Sequence, residues 1–252
     1  MTMDRLTRTV REQVALGRLL PLGGPDDAVW ITEKAVVCVM RRTCAALPGI
    51  RLGAVGVALA DGVSATVPAA APVGALPHLP VRIDAGFEAV PDEPLPLAAH
   101  RVRDALWTAA QDLLGLRVTA VDLRVTGLLD DGPPMSDAAD DGPPTSDTPD
   151  DAVEAMPGSA EPGAAEVIDA AARAVPGVLG LTRRLAGLGP GLRVLDTSAD
   201  EGAPGRRVLA QIAVAPGRVA LDVARAVLAA TTAAAEPGAP GPVTAAVVVT
   251  DA

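Results

Sequence analysis

Short apolar runs alternate with amphipathic stretches along the first half of the chain, and each stretch has its own period. Val29-Trp30-Ile31 predicts a short strand, and Thr32 is placed to cap a helix running to about Leu47. Val36, Val39, Met40, Thr43 and Leu47 share one face at helical spacing, and Pro48-Gly49 ends the helix. Leu52 to Leu59 reads as a strand, followed by Asp61-Gly62 as a hairpin turn signal. A Pro/Ala-rich loop then leads to a strand over Val81 to Phe87. A second helix spans about Leu95 to Leu114. Its spacing buries Ala99, Val102, Leu106, Ala109 and Leu113 and turns His100, Arg101, Asp104, Thr108, Gln111 and Asp112 to water. Arg117 to Thr126 is the last strand. The order β-α-β-β-α-β predicts an α+β, two-layer sandwich with both helices on one face of a sheet.

The far end of the chain repeats this pattern in worn form. Ala174-Val175-Pro176-Gly177-Val178 answers Ala46-Leu47-Pro48-Gly49-Ile50, and Arg207 to Val214 answers the strand at Val81. The helical run Val219 to Val227 aligns with Ala98 to Leu106, keeping Val102/Val223 and Leu106/Val227 as core pairs. Val243-Thr244-Ala245 answers Val118-Thr119-Ala120. The opening strand has no counterpart. The expected fold is therefore a tandem of two-layer sandwiches, the second copy lacking the first strand.

Charge separates the two copies. Residues 130–165 repeat Asp-Asp-Gly-Pro-Pro at Asp130 and Asp140 and hold ten acids with no Arg or Lys. The chain carries 31 acidic and 21 basic residues, so removing these ten leaves 21 against 21 and places the whole net charge of −10 in this stretch. Proline, glycine and like charge without apolar periodicity describe an extended spacer. The expected organisation is an N-terminal amphipathic helix or extension at 1–25, a first domain at 26–129, an acidic Pro/Gly-rich linker at 130–163, and a degenerate second copy at 164–252, the two copies folding separately.

Composition thins the list of chemistries. Aromatics are 1% of 252 residues, too few for a protein that stacks bases or cages cations on rings. Two His and two Cys argue against structural zinc, and no metal or cofactor is expected. The acidic balance disfavours nucleic acid and anionic lipid. Arg5, Arg8, Arg11 and Arg18 interrupt any secretory h-region, and Val63 to Val81, free of charge, carries four prolines that would break a membrane helix. A cytoplasmic location is expected, with no direct membrane insertion. Cys38 and Cys44 project about 120° apart on their helix, which forbids a disulfide; Cys38 points outward beside Lys34, Arg41 and Arg42. Gly187 to Gly191 precedes a strand-like run, whereas a phosphate cradle must open a helix. His100 sits one turn before Asp104 as a solvated pair, and His78 lies in the Pro-rich loop without partners. No catalytic residues emerge, and no enzyme is expected.

A resemblance appears at the same positions. Val29-Trp30-Ile31-Thr32-Glu33-Lys34-Ala35, Ala45-Ala46-Leu47-Pro48-Gly49-Ile50 and the strand at Val81 resemble the alkaline-shock protein family, also called the envelope stress response family. The helix ending Leu114-Gly115-Leu116 and the strand Val118 to Val125 are similar to its closing elements. The likeness covers about residues 29 to 129, with 164 to 252 as a degenerate copy. The long Pro-rich insertion between Val67 and Val81 and the missing strand of the second half depart from the pattern. The resemblance implies a cytoplasmic protein of cell-envelope homeostasis, held near the membrane in some relatives through a separate membrane-anchored partner, with no catalytic residues.

The expected function is therefore non-enzymatic, acting through protein–protein contacts with a protein partner and with self-association open. Two tethered copies suit this because they raise local concentration for a shared partner. Trp107 and Leu114, at the margin of the second helix's apolar stripe, are expected to be half covered and available for contact. Ala229 and Ala233, where the first copy has polar positions, form a face expected to pack on the first domain or on a second chain. The alternative class is a small-molecule-sensing module, by fold analogy. RNA binding wants a G-x-x-G loop and a basic face, and neither is visible.

Overall fold

The computed structural model describes residues 17–60, 68, 70–129, 162–184, 191–197 and 203–252. The Asp61-Gly62 turn, residues 1–16 and most of the acidic spacer lie outside the described residues. The protein is α+β, with two sheets.

The first strands are β1 (Leu19–Pro21) and β2 (Val29–Thr32), paired antiparallel. The region expected as a helix or extension thus contributes a strand at residues 19–21. Pro21 fits there because β1 is an edge, where a missing N–H breaks no ladder. Helix α1 (Glu33–Ala45) follows at once. Thr32 caps it as expected, its hydroxyl accepting from the Ala35 N–H, and Val36, Val39 and Met40 enter the core. Gly49, at φ +71°, turns the chain into β3 (Ile50–Leu59). The left-handed conformation is why the helix stop is Pro-Gly rather than Pro followed by a branched residue.

Strand β4 (Val81–Ala89) pairs antiparallel with β3 and parallel with β5 (Val118–Leu128), giving a three-stranded sheet in the order β3-β4-β5. Helix α2 (Leu95–Thr108) links β4 to β5 and widens into a π-helical turn over Ala109–Leu114, closed by Gly115 at φ +81°. The wider turn advances the helix phase by about one residue. Leu114 is consequently fully buried while Leu113 is 37% exposed, which reverses the expected assignment of these two leucines.

The second half contains α3 (Pro162–Arg173), β6 (Val178–Leu181), β7 (Leu192–Thr197), β8 (Gly205–Val214), α4 (Ala220–Ala235) and β9 (Val243–Asp251). Strands β6 and β7 lie end to end along one edge of β8, joined across the gap by Thr182 N–H to the Gln211 carbonyl and Gln211 N–H to the Gly191 carbonyl. They pair with β8 as β3 pairs with β4. The registers of the halves match: Ile50 faces Ala89 and Val178 faces Val214, while Val81 faces Val118 and Arg206 faces Val243.

The halves, expected as separate domains, are joined through one sheet and one hydrophobic cluster. Strand β2 leaves its own half and pairs parallel with β9, Val29 facing Val247, Trp30 facing Val248 and Ile31 facing Val249. The larger sheet therefore runs β1-β2-β9-β8-β6, with β7 also on β8. The opening strand of the first half thus lies in the sheet of the second half. Thr32 Oγ1 donates to the Thr250 carbonyl at 3.3 Å, Arg225 forms a bidentate pair with Asp27 at 2.8 Å, and Leu221 packs over Gly115. Inner-face residues of both sheets, including Phe87, Val121, Ile212 and Val249, join the helices in one hydrophobic cluster. A strand exchanged through a shared core gives neither half an independent interior. Among the described residues no helix is long and apolar enough to cross a membrane.

Candidate functional site

The two sheets treat their outer faces differently. On the larger sheet, Trp30, Ala246 and Val248 point away from the main core and form a second apolar cluster. The Pro-rich insertion folds over it, with Ala70, Ala71 and Ala75 against these side chains. Trp30 Nε1 donates to the Leu76 carbonyl at 2.9 Å, and His78 Nε2 sits 3.1 Å from the Val29 carbonyl. The His78 ring meets Trp30 edge-on, centroids 4.8 Å apart. His78, expected to lack partners, is thus a buried anchor of the insertion. Burial pushes its pKa below the usual histidine value, against the pull of the Val29 carbonyl and Asp27. With Nε2–H donating to Val29, Nδ1 is left buried without a partner.

The smaller sheet has nothing comparable over it among the described residues. Its outer face carries Arg82, Asp84 and Glu88 from β4, Asp122 and Arg124 from β5, and Arg51 from β3. Arg82 reaches Asp84 at 3.5 Å and Asp122 at 3.4 Å, and Arg51 bonds Glu88 at 3.0 Å. These are exposed pairs of small individual worth. Between them the sheet is low, because Gly53, Gly56 and Gly86 have no side chain and a bulge between Leu52 and Val55 breaks the ladder. The result is a groove of about 500 Å³ running from β3 to Asp122, Arg124 and Thr126. A Cβ at Gly56 would meet nothing within 4 Å, so that part of the groove is open space. Strand β5 borders it and is the end of its sheet.

Trp107 is half-buried against the shared core, at the margin expected of it. Leu114 belongs to the interior and presents no surface, because the π-turn rotates it inward. Ala229 and Ala233 are exposed, so the first half does not cover that face of α4. Cys38 is exposed; Cys44 is buried, and loss of solvent pushes its thiol up to about 11. His100 and Asp104 form an exposed pair at 3.3 Å. Gly191 precedes β7, as read from the sequence, while Gly187 and Gly189 lie outside the described residues. Among the described residues, no three His, Cys, Asp or Glu side chains gather where they could hold a metal ion.

The groove and its bordering edge were not singled out from the sequence. The available signal was the alternation of Asp122, Arg124 and Thr126 with aliphatics, which marks a strand with one wet face. Comparison of the chain with known protein families, with curated proteins and with solved structures finds no match in any of the three.

Proposed function

We propose that this is a non-enzymatic protein of envelope-stress type, built from a β-α-β-β-α-β half and a degenerate second copy lacking the first strand, and acting through contact with another protein. The observation that supports the reading is the asymmetry between the sheets: one has its outer face roofed by the insertion, while the other offers a bare, grooved face. A face of small residues framed by charges of both signs admits close backbone approach and fixes orientation by polar pairs at the rim. The partner is a protein on the cytoplasmic side of the membrane, anchored there in the setting that the family resemblance implies. Trp107 and the Ala229–Ala233 face are the other surfaces we assign to contact.

The test is a pull-down from lysate, with and without solubilised membranes, using the full chain and Gly56→Arg. The open space at Gly56 lets the arginine fill the groove without disturbing the sheet. Recovery of one membrane protein by the parent chain and its loss with Gly56→Arg is the expected result. Equal recovery by both chains overturns the groove as the contact site. A small molecule that co-purifies with the parent chain and not with the variant moves the assignment to a ligand-sensing module.

A further inference from the structure

We propose that β5 pairs with β5 of a second copy of this chain, edge to edge and antiparallel about a two-fold axis through Leu123. This goes beyond the contact surface assigned above, since it concerns the strand's edge and names its occupant.

Strand β5 is eleven residues long, Val-Thr-Ala-Val-Asp-Leu-Arg-Val-Thr-Gly-Leu, and one of its edges carries no strand among the described residues. An isologous pairing places residue i opposite residue j of the partner, and j opposite i. With Leu123 opposite itself, Asp122 falls opposite Arg124 of the other copy, Val121 opposite Val125, and Val118 opposite Leu128. Each arrangement occurs twice. Opposed residues in an antiparallel pair must point to the same face. The bulges at Val81/Arg82 and Phe87/Glu88 put Val118, Val121, Leu123, Val125 and Leu128 on the helix side, each opposite its counterpart in β4 or offset by the bulge. That set maps onto itself under the two-fold, as do Asp122 and Arg124 on the outer face.

The unmet needs of the single chain agree with this pairing. Val125 is 41% and Leu128 55% exposed although both face the helix side, and the partner's Val121 and Val118 would lie beside them. Arg124 makes no ion pair among the described residues, while Asp122 has only Arg82, at 3.4 Å. Arg103 Nε holds the Val121 carbonyl at a long 3.4 Å, a contact that backbone pairing exchanges for a ladder bond. The opposite edge, β3, lacks this self-match, and its Val57 carbonyl is taken by Arg18. Pairing through β5 would join two three-stranded sheets into one of six strands and extend the groove across the axis.

The test uses the full chain and two charge reversals, Arg124→Asp and Asp122→Arg, with mass measured by light scattering over a concentration series. The parent chain is expected at twice its 25.3 kDa at the upper concentrations. Each reversal alone faces like charges twice across the axis and should weaken the dimer about 10- to 30-fold. Mixed in equal amounts, the two variants restore both opposite-charge pairs and should form a heterodimer near parent affinity. That recovery also shows that both variants fold. A parent chain that stays monomeric overturns the proposal. So does a dimer indifferent to either reversal, or a mixture no tighter than the variants alone.

Discussion

Strands β5 and β9 open on the same three residues, Val-Thr-Ala, and then part company. After Ala120 the first continues Val-Asp-Leu-Arg-Val-Thr, apolar and polar by turns; after Ala245 the second runs Ala-Val-Val-Val. The structure supplies the reason. Strand β9 is flanked by β2 and β8, lies over the helices on one face and has the Trp30 cluster on the other, so both rows of its side chains are buried. Strand β5 has one neighbour, helices on one face and water on the other. A strand's pattern therefore reports how many of its faces are covered. Here the cover of the second half is lent by the first.

The loan can be broken at Trp30. Trp30→Ala removes a fully buried indole and its bond to Leu76, and it should cost about 4 kcal/mol in urea denaturation. Asp122→Ala, on the bare outer face of β5, should stay within about 0.5 kcal/mol. Equal effects at the two positions would mean that the outer faces do not differ in the way described.

A second contrast lies at the strand starts, where Val81 and Arg206 hold matching registers and are both buried. Arg206 bonds Asp196 at 2.7 and 2.8 Å and the carbonyls of Ala235, Pro237 and Gly238, which close the C-terminus of α4. Arg206→Ala should cost about 3 kcal/mol, since it strands a carboxylate and three carbonyls together. Val81→Ala, losing packing alone, should cost about 2 kcal/mol. Denaturation midpoints of the two variants give the ranking, and a larger loss at Val81 would reverse it.

The joint between the halves is sharpened by Gly115→Ala. A Cβ there would stand 2.5 Å from Leu221 Cβ at a φ of +81°. Strain and clash together should cost about 2 kcal/mol. Gly217 shares the left-handed φ, +79°, with nothing within 4 Å of its Cβ position, so Gly217→Ala should cost about 1 kcal/mol and isolates the clash with Leu221 by difference.

The smallest effect follows pH. His78 is held neutral in the fold, its pKa below that of the unfolded chain. The unfolded state then binds the extra proton first, so this contribution is full above the unfolded value of about 6.5 and declines as pH falls below it. His78→Gln, which cannot charge, should flatten the stability profile between neutral and mildly acidic pH. A profile unchanged by the substitution would place the sensitivity elsewhere.

Much of the fold was legible because its local signals are strong. Thr32 as a cap, Pro48-Gly49 and its echo Pro176-Gly177, and the matched core pairs Val102/Val223 and Leu106/Val227 all sit where their spacing put them. What escaped were choices among partners. Val29-Trp30-Ile31 reads as a strand in either sheet, and nothing local says that its neighbour is Val247 rather than a strand of its own half. The π-turn that exchanges Leu113 for Leu114 changes phase within a run that stays helical throughout. The insertion's role as a roof depends on a face built by residues 246–248. The alternating pattern of β5 marks one wet face, but only the topology says that this strand ends its sheet.

The exchange of β2 also sets an order of events on the ribosome. Thr32 and its partner Thr250 are 218 positions apart, so Val29-Trp30-Ile31 emerges long before the strand that receives it has been made. Until then the nascent chain holds an apolar strand paired on one side only, with the short β1. That is the kind of contact that slows folding and exposes an intermediate to aggregation or to chaperones. Synthesis halted before Val243 would leave the first half with its own first strand stranded.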